Sequence, residues 1–323
     1  MNSWKIACAA ALCALAPTSL AQAPAPDTNT FVTLGTMGGP VGEPGRSQPA
    51  NAILIGRDAY LVDVGDGAVQ QLVKAGVHLP QVKAVFISHL HFDHTGGLGA
   101  LLGLRYQANA PGVLSVYGPP GTAALVDGII ASMRPAADAG YGLPDGKRID
   151  PASTVSVTEI RSGSTQTIGK MTVRTVKNTH YSFPKGSLED KKFQSLSFRF
   201  DLPNRSIMYT GDTGPSRAVE KLGRGADLLV SEMIDVPATL AAVTAINPKL
   251  GERDRSEMAS HLADHHLTPE QVGQMAQAMR VRKVVVTHLV VAGADEAKLA
   301  SYGAEIGKQF AGEVSLARDL DRY

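Results

Sequence analysis

From residue 31 to the C-terminus, short apolar runs of strand length alternate with stretches whose apolar positions recur at helical spacing. Residues 31–35 read as a first strand, ending in a Gly- and Pro-rich loop over 38–49. Residues 52–55 and 60–64 read as a hairpin pair, 68–75 as a helix and 82–88 as a buried strand. A helical pattern over 98–104, a strand over 114–117 and a helix over 122–133 complete the first half. The segment 134–152 is rich in Pro, Gly, Ala and Asp and reads as a long loop, of a length at which loops are often functional. Strands follow at 155–160, 165–168, 171–176, 196–200, 206–209 and 228–230. Then come a helix over 269–279 that Thr268 is placed to cap, a strand over 283–287, a helix over 294–310 and a closing strand over 314–317. Two sets of strands, each interleaved with helices, predict an α/β domain. Two mixed sheets would pack face to face with helices outside, an αββα sandwich with a site at one edge.

The first 21 residues predict a different role. Lys5 is the lone charge, residues 6–16 are apolar, and Ser19-Leu20-Ala21 carries small residues at the positions a signal peptidase reads. This pattern predicts an exported protein, periplasmic or secreted, cleaved after Ala21. An uncleaved anchor is the alternative, although the apolar run is short for a span. Residues 22–30 would be a flexible lead-in and 31–323 the domain. Both cysteines, Cys8 and Cys13, lie in the leader, so the remainder has no thiolate to offer as nucleophile or ligand. With 31 basic against 30 acidic residues the formal charge is +1, and the basic residues are scattered. That distribution argues against a nucleic-acid partner, and no segment after the leader argues for a membrane.

Candidate chemistry is concentrated in His89-Leu90-His91-Phe92-Asp93-His94, directly after the apolar run 85–88. Alternate side chains leaving a strand share a face, so His89 and His91 can meet at one point. The Gly-rich turn that follows brings Asp93 and His94 to a second point nearby. Imidazole nitrogen and carboxylate oxygen suit zinc. The plain alternative, a polar loop with chance histidines, is hard to square with ligand-type residues recurring after later strands.

Taken in order, five motifs resemble the metallo-β-lactamase superfamily of metal hydrolases. They are Asp63 in Val-Asp-Val-Gly-Asp-Gly, the histidine motif, His180 in Asn-Thr-His, Asp212 in Thr-Gly-Asp-Thr, and His288 in Val-Val-Thr-His. The resemblance implies the metallo-β-lactamase fold and two metal ions. One would be held by His89, His91 and His180, the other by Asp93, His94 and His288, with Asp212 bridging. Asp63 would brace the loop, its alternative being a turn-forming residue before glycine. Two divalent cations ~3.5–4 Å apart bring the pKa of a shared water towards ~7, and Asp93 would orient the resulting hydroxide. Zinc fits the His-rich set, and manganese or iron could fill a mixed nitrogen and oxygen site.

Val230-Ser231-Glu232 and His265-His266-Leu267-Thr268-Pro269 resemble the branch that includes tRNA 3′-processing endonucleases and secreted arylsulfatase-like hydrolases. There a Glu after a buried strand pairs with a His ahead of a helix. The pair here would be Glu232 and His266, with His266 as proton donor; the alternative is that His266 merely caps or packs that helix. Near-neutral charge and expected export favour a small-molecule substrate, namely a sulfate or phosphate ester, over tRNA. Rival readings on the same centre are a lactonase, carboxylesterase or β-lactamase, and outside catalysis a metal-dependent binding protein. A homodimer accords with the resemblance. His261 and His265 would share a face if 256–265 is helical, and Phe92, Tyr141, Tyr181 and Phe183 are candidates to line the substrate site.

Overall fold

The computed structural model describes residues 29–140 and 149–323. The expected leader, its cleavage point and Tyr141 lie outside the described residues. The first sheet has the order β1(Asn29–Gly35), β2(Ala50–Ile55), β3(Asp58–Val64), β4(Val82–Phe86), β5(Leu114–Gly118), β6(Val155–Glu159). Its β1–β3 meander is antiparallel, and β3 to β6 run parallel. The parallel strands are joined through α1(Ala68–Lys74), α2(Phe92–Thr95), α3(Leu98–Gln107) and α4(Thr122–Ala139).

Seven strands form the second sheet: β7(Thr165–Ile168), β8(Met171–Lys177), β9(Leu196–Asp201), β10(Ser206–Tyr209), β11(Leu228–Ile234), β12(Lys283–Val290) and β13(Glu313–Leu316), neighbours in that sequence. Strands β7 to β10 pair antiparallel and β10 to β13 parallel. Its helices are α5(Leu188–Lys192), α6(Arg217–Gly223), α7(Val236–Ile246), α8(Glu252–His265), α9(Pro269–Met279) and α10(Glu296–Gln309). No described helix is long and apolar enough to cross a membrane.

The layers follow from three buried clusters. The central one joins the inner faces of both sheets, with Phe31, Val62 and Phe86 against Phe198, Phe200 and Val230. Phe86 meets Phe200 edge-on at 5.3 Å between ring centres and Phe198 at 6.0 Å, an arrangement aromatic quadrupoles favour. A second cluster packs α1, α3 and α4 on the outside of the first sheet. A third packs α6, α9 and α10 on the outside of the second. The expected αββα sandwich is therefore the fold.

Two boundaries differ from expectation, each for a physical reason. Strand β1 starts at Asn29, inside the expected lead-in, because Asn29 and Thr30 pair with Ile55 and Leu54. Helix α4 runs through Pro135 to Ala139. Ala131, whose carbonyl the proline leaves unbonded, is exposed, so water can satisfy that carbonyl. The expected loop 134–152 is thereby shortened, and it ends in a short 3-10 turn, Pro151–Thr154. Helices α5, α6 and α7 were not expected at all.

Register breaks deliver functional side chains. On β2, Ala50 and Asn51 are consecutive, yet they pair with Val64 and Val62, so Asp63 is an extra residue, with φ 60°. Between β11 and β12 the pairing jumps from Ser231–Val286 to Met233–Leu289, leaving out Glu232, Thr287 and His288, the last at φ 45°. Such bulges re-aim side chains that a regular ladder would leave in the sheet, and positive φ at non-glycine residues is a strain found where function demands it.

Candidate metal centre

The chain leaves β4 through Ser88 and His89 to His91, whose backbone is extended (φ −65°, ψ 149°). His89 Nε2 and His91 Nδ1 come within 3.0 Å of each other, and His180 Nε2 lies 3.0 Å from the same His91 nitrogen. His180 arrives from the end of β8. There the Asn178 side-chain amide donates to the Thr210 carbonyl, and its oxygen accepts from the His180 N–H, both at 3.2 Å. Ligands around one tetrahedral zinc sit about 3.3 Å apart, so this spacing suits a single cation. Burial lowers all three imidazoles, His180 to about 3, keeping them in the neutral form that binds metal.

A second group gathers alongside. His94 Nε2 lies 3.5 Å from Asp93 Oδ2 and 3.3 Å from Asp212 Oδ1. His288 Nε2 lies 3.5 Å from Asp93 Oδ2 and 3.2 Å from Asp212 Oδ2. That Asp212 oxygen is also 4.0 Å from His89 Nε2 and 3.9 Å from His180 Nε2, so Asp212 faces both groups. Burial lowers His94, but Asp212, Asp63 and Asp93 outweigh it and lift the imidazole well above its usual value; His288 is raised against burial by Asp212 and Asp93. This half of the site demands positive charge, which a divalent cation supplies as readily as protons do. His94 Nε2, Asp212 Oδ1 and His288 Nε2 are buried without a hydrogen-bond partner. Such atoms are rare and costly, and a coordinated cation would satisfy all three. The residues therefore fit a two-metal centre, and all seven expected ligands are brought together.

Asp63 orients this centre without belonging to it. Its Oδ1 accepts from the Ser88 N–H at 2.7 Å; its Oδ2 takes the Ser88 hydroxyl at 2.8 Å, His94 Nδ1 at 2.9 Å and the Tyr209 hydroxyl at 2.7 Å. Holding Nδ1 leaves His94 Nε2 for metal. Ser88 Oγ lies 3.1 Å from His89 Nδ1 and fixes that ring in the same sense. Sequence reasoning missed Ser88 and Tyr209. Their only signal was a polar atom on an otherwise apolar strand end.

Glu232 and His266 form the expected pair. His266 Nδ1 is 2.6 Å from Glu232 Oε2, while Glu232 Oε1 accepts from the Thr213 N–H next to ligand Asp212. Burial lowers the His266 imidazole, but the charge and hydrogen bond of Glu232 outweigh it and lift it to about 9. His266 is not the helix cap: Thr268 caps α9, its side chain accepting from the Gln271 N–H. A ring nitrogen of His266 lies within 4.8 Å of ligand atoms of His180 and Asp212.

The other candidates divide. The Tyr181 hydroxyl accepts from the Leu90 N–H at 3.1 Å and so braces the histidine loop instead of lining the cavity above the ligands. Phe92 does line that cavity, and Phe183 does not. Residues 252–265 are helical, as the pairing of His261 and His265 required, and their rings lie 4.9 Å apart. The His265 ring bonds the Thr179 carbonyl, and His261 stands at the cavity rim.

A family model described as "Beta-lactamase superfamily domain" matches residues 59–289. The chain is 29% identical over 299 residues to a Ribonuclease Z of Mycobacterium avium, covering 90% of this chain and 96% of that protein. Its fold matches the metallo-β-lactamase fold protein YhfI from Bacillus subtilis, with TM-score 0.63, 18% identity and coverage of 91% and 98%. It also matches human tRNase Z, short form, with TM-score 0.59, 20% identity and the same coverage. These likenesses overturn two expectations: an arylsulfatase-like hydrolase of small sulfate or phosphate esters, with its lactonase, carboxylesterase and β-lactamase variants, and a partner list without nucleic acid. The inference from charge failed because it counted side chains alone. Two divalent cations held against Asp93 and Asp212 would leave the centre roughly +2, a local attraction for a polyanion that the side-chain count does not register.

Proposed function

This chain belongs to the β-lactamase superfamily, and from that premise we propose that it is a metal-dependent ribonuclease of the tRNA 3′-processing kind, hydrolysing a phosphodiester bond in RNA. The observation that carries the reading is the Glu232–His266 pair standing beside a complete two-metal ligand set. A phosphodiester in RNA departs as a poor leaving group, a ribose alkoxide, and needs a proton at that moment.

His89, His91 and His180 would hold one ion and Asp93, His94 and His288 the other, with Asp212 between them; the imidazole-rich set favours zinc. Bound there, the metals make water reactive near neutral pH and neutralise charge on the phosphoryl oxygens. Burial by itself raises the Asp93 carboxyl, but His94 and His288 outweigh it and hold it at about 2. Cations held by His94 and His288 would supply the same positive charge beside Asp93, so Asp93 stays anionic and can accept a hydrogen bond from the attacking water, which orients it. His266, tethered through Nδ1, keeps its Nε2 proton for the departing oxygen. Glu232 holds the ring in place and stabilises its positive charge.

The test is cleavage of an end-labelled precursor tRNA carrying a 3′ trailer by the zinc-loaded protein. We expect a single cut at the trailer, loss of cutting on chelation and recovery on adding zinc. Protein that contains two equivalents of metal and hydrolyses bis(p-nitrophenyl) phosphate, yet leaves the precursor intact, would refute the RNA substrate.

A further inference from the structure

Above the ligands lies a cavity of 490 Å³, a size typical of small-molecule sites. Its floor is the centre itself, including His91, Asp93, Asp212, His266 and His288. One wall is aliphatic, built from Val243 and Ile246 of α7, Met258 and Leu262 of α8, and Val290 of β12. Two observations mark that wall as made to be covered. None of the eleven residues of α7 is buried, although its sequence VPATLAAVTAI is almost wholly apolar. Among the described residues, Val41, Phe92 and Ile246 are large apolar side chains exposed by 54%, 83% and 66%, and all three stand around this one cavity.

The α7–α8 hairpin is held in place from behind. Asp235 caps α7 and accepts the Tyr302 hydroxyl at 2.6 Å, and the Thr239 hydroxyl donates to the Val290 carbonyl. The wall is thus anchored to the second sheet while its apolar side faces the cavity, half-buried at Val243, Met258, Leu262 and Val290 and exposed at Ile246.

We propose that this cavity is a nucleobase subsite, taking the base of the nucleotide that flanks the scissile phosphate, with Phe92 as its stacking platform. The proposal rests on the ribonuclease reading and deepens it. The ligands and this wall line one cavity, so a phosphate seated over the ligands has the wall within reach of its nucleotide. Phosphate and ribose are strongly hydrated and lose by contact with aliphatic side chains. The base alone offers weakly hydrated flat faces, and an exposed aromatic ring stacks on such a face whatever the base. Glu43 and His261 line the same cavity and supply polar partners for the base edge. Phe92 is well placed because α2 points its neighbours Asp93 and His94 inward to the metals and leaves its own ring outside.

The experiment compares binding of uridine 5′-monophosphate and ribose 5-phosphate to the zinc-loaded protein by calorimetry, for wild type, Phe92→Ala and Ile246→Ser. Both ligands place the same phosphate on the metals and differ only in the base. We expect the base to tighten wild-type binding roughly 5- to 150-fold, and each substitution to shrink that ratio while ribose 5-phosphate binds as before. A wild-type ratio below about twofold, or a ratio that both substitutions leave intact, overturns the subsite. Protein that leaves precursor tRNA whole but keeps a base ratio sensitive to Phe92 fails as a ribonuclease, not as a base-binding site.

Discussion

Asp63→Asn tests whether the metal centre is held from behind. The two side chains have the same shape, so any effect comes from hydrogen-bond polarity. Four donors converge on the Asp63 carboxylate, one at Oδ1 and three at Oδ2. An asparagine must turn its NH₂ towards one side or the other. The cheaper orientation keeps the oxygen on the three donors and sets the amide against the Ser88 N–H, leaving two donors buried without acceptors. At about 1–3 kcal/mol for each such group, the variant should lose about 2–6 kcal/mol, a large part of the ~5–15 kcal/mol that holds a domain folded. The loss should reach the ligands too. The asparagine oxygen still holds His94 Nδ1, but without the negative charge that makes the imidazole a stronger ligand, and orienting partners of this kind are worth about 10–100-fold in metal affinity. Urea denaturation of metal-free protein reads the first effect, and zinc titration reads the second. Stability within about 0.5 kcal/mol of wild type, together with unaltered affinity for both ions, would refute the bracing argument.

Two further outcomes follow from the same geometry. His266 is raised to about 9, above its unfolded value of about 6.5. Its contribution to stability is therefore whole below about pH 6.5 and fades as pH passes 9, and the alkaline limb of kcat/KM should fall near 9. Glu232→Gln removes the anion that opposes burial and should bring that limb to 6.5 or below. Activity at pH 8 then falls about 30-fold while activity at pH 6 suffers far less, and a limb that stays near 9 in the variant would remove Glu232 from this role. In the core between the sheets, Phe198→Ala should cost about 3–5 kcal/mol in urea denaturation, with metal content unchanged.

The candidate site was more legible in the sequence than the fold around it. His89, His91, His180, Asp212 and His288 each follow an apolar run, and a strand end is where a polar side chain escapes the ladder. What the alternation cannot express is a bulge. Glu232 and His288 read as lying just past strands ending at 230 and 287, whereas both lie inside β11 and β12, and the skipped pairings free them from the ladder. Helix α7 was missed for the opposite reason. A helix advertises itself by one polar face, and VPATLAAVTAI has none, because its apolar surface is not spent on a core. Helix α4 reads as ending at Met133 but continues through Pro135 to Ala139, where exposed Ala131 leaves the carbonyl freed by the proline within reach of water.

The register breaks that free Asp63, Glu232 and His288, the positive φ at Asp63 and His288, and helix α7 share a location, the edge of the sandwich where the two sheets deliver the histidines. A regular sheet uses its backbone groups on neighbouring strands and turns alternate side chains away from its edge, so it cannot crowd seven ligands into one small volume. Asp63 at φ 60° and His288 at φ 45° hold conformations that cost of order 1–3 kcal/mol each. What sustains them is the hydrogen-bonded network through Ser88, Tyr209 and Thr213 and, when bound, the cations themselves. Folding and metal binding would then be linked in this domain, the binding energy of the ions offsetting the strain that shapes their site.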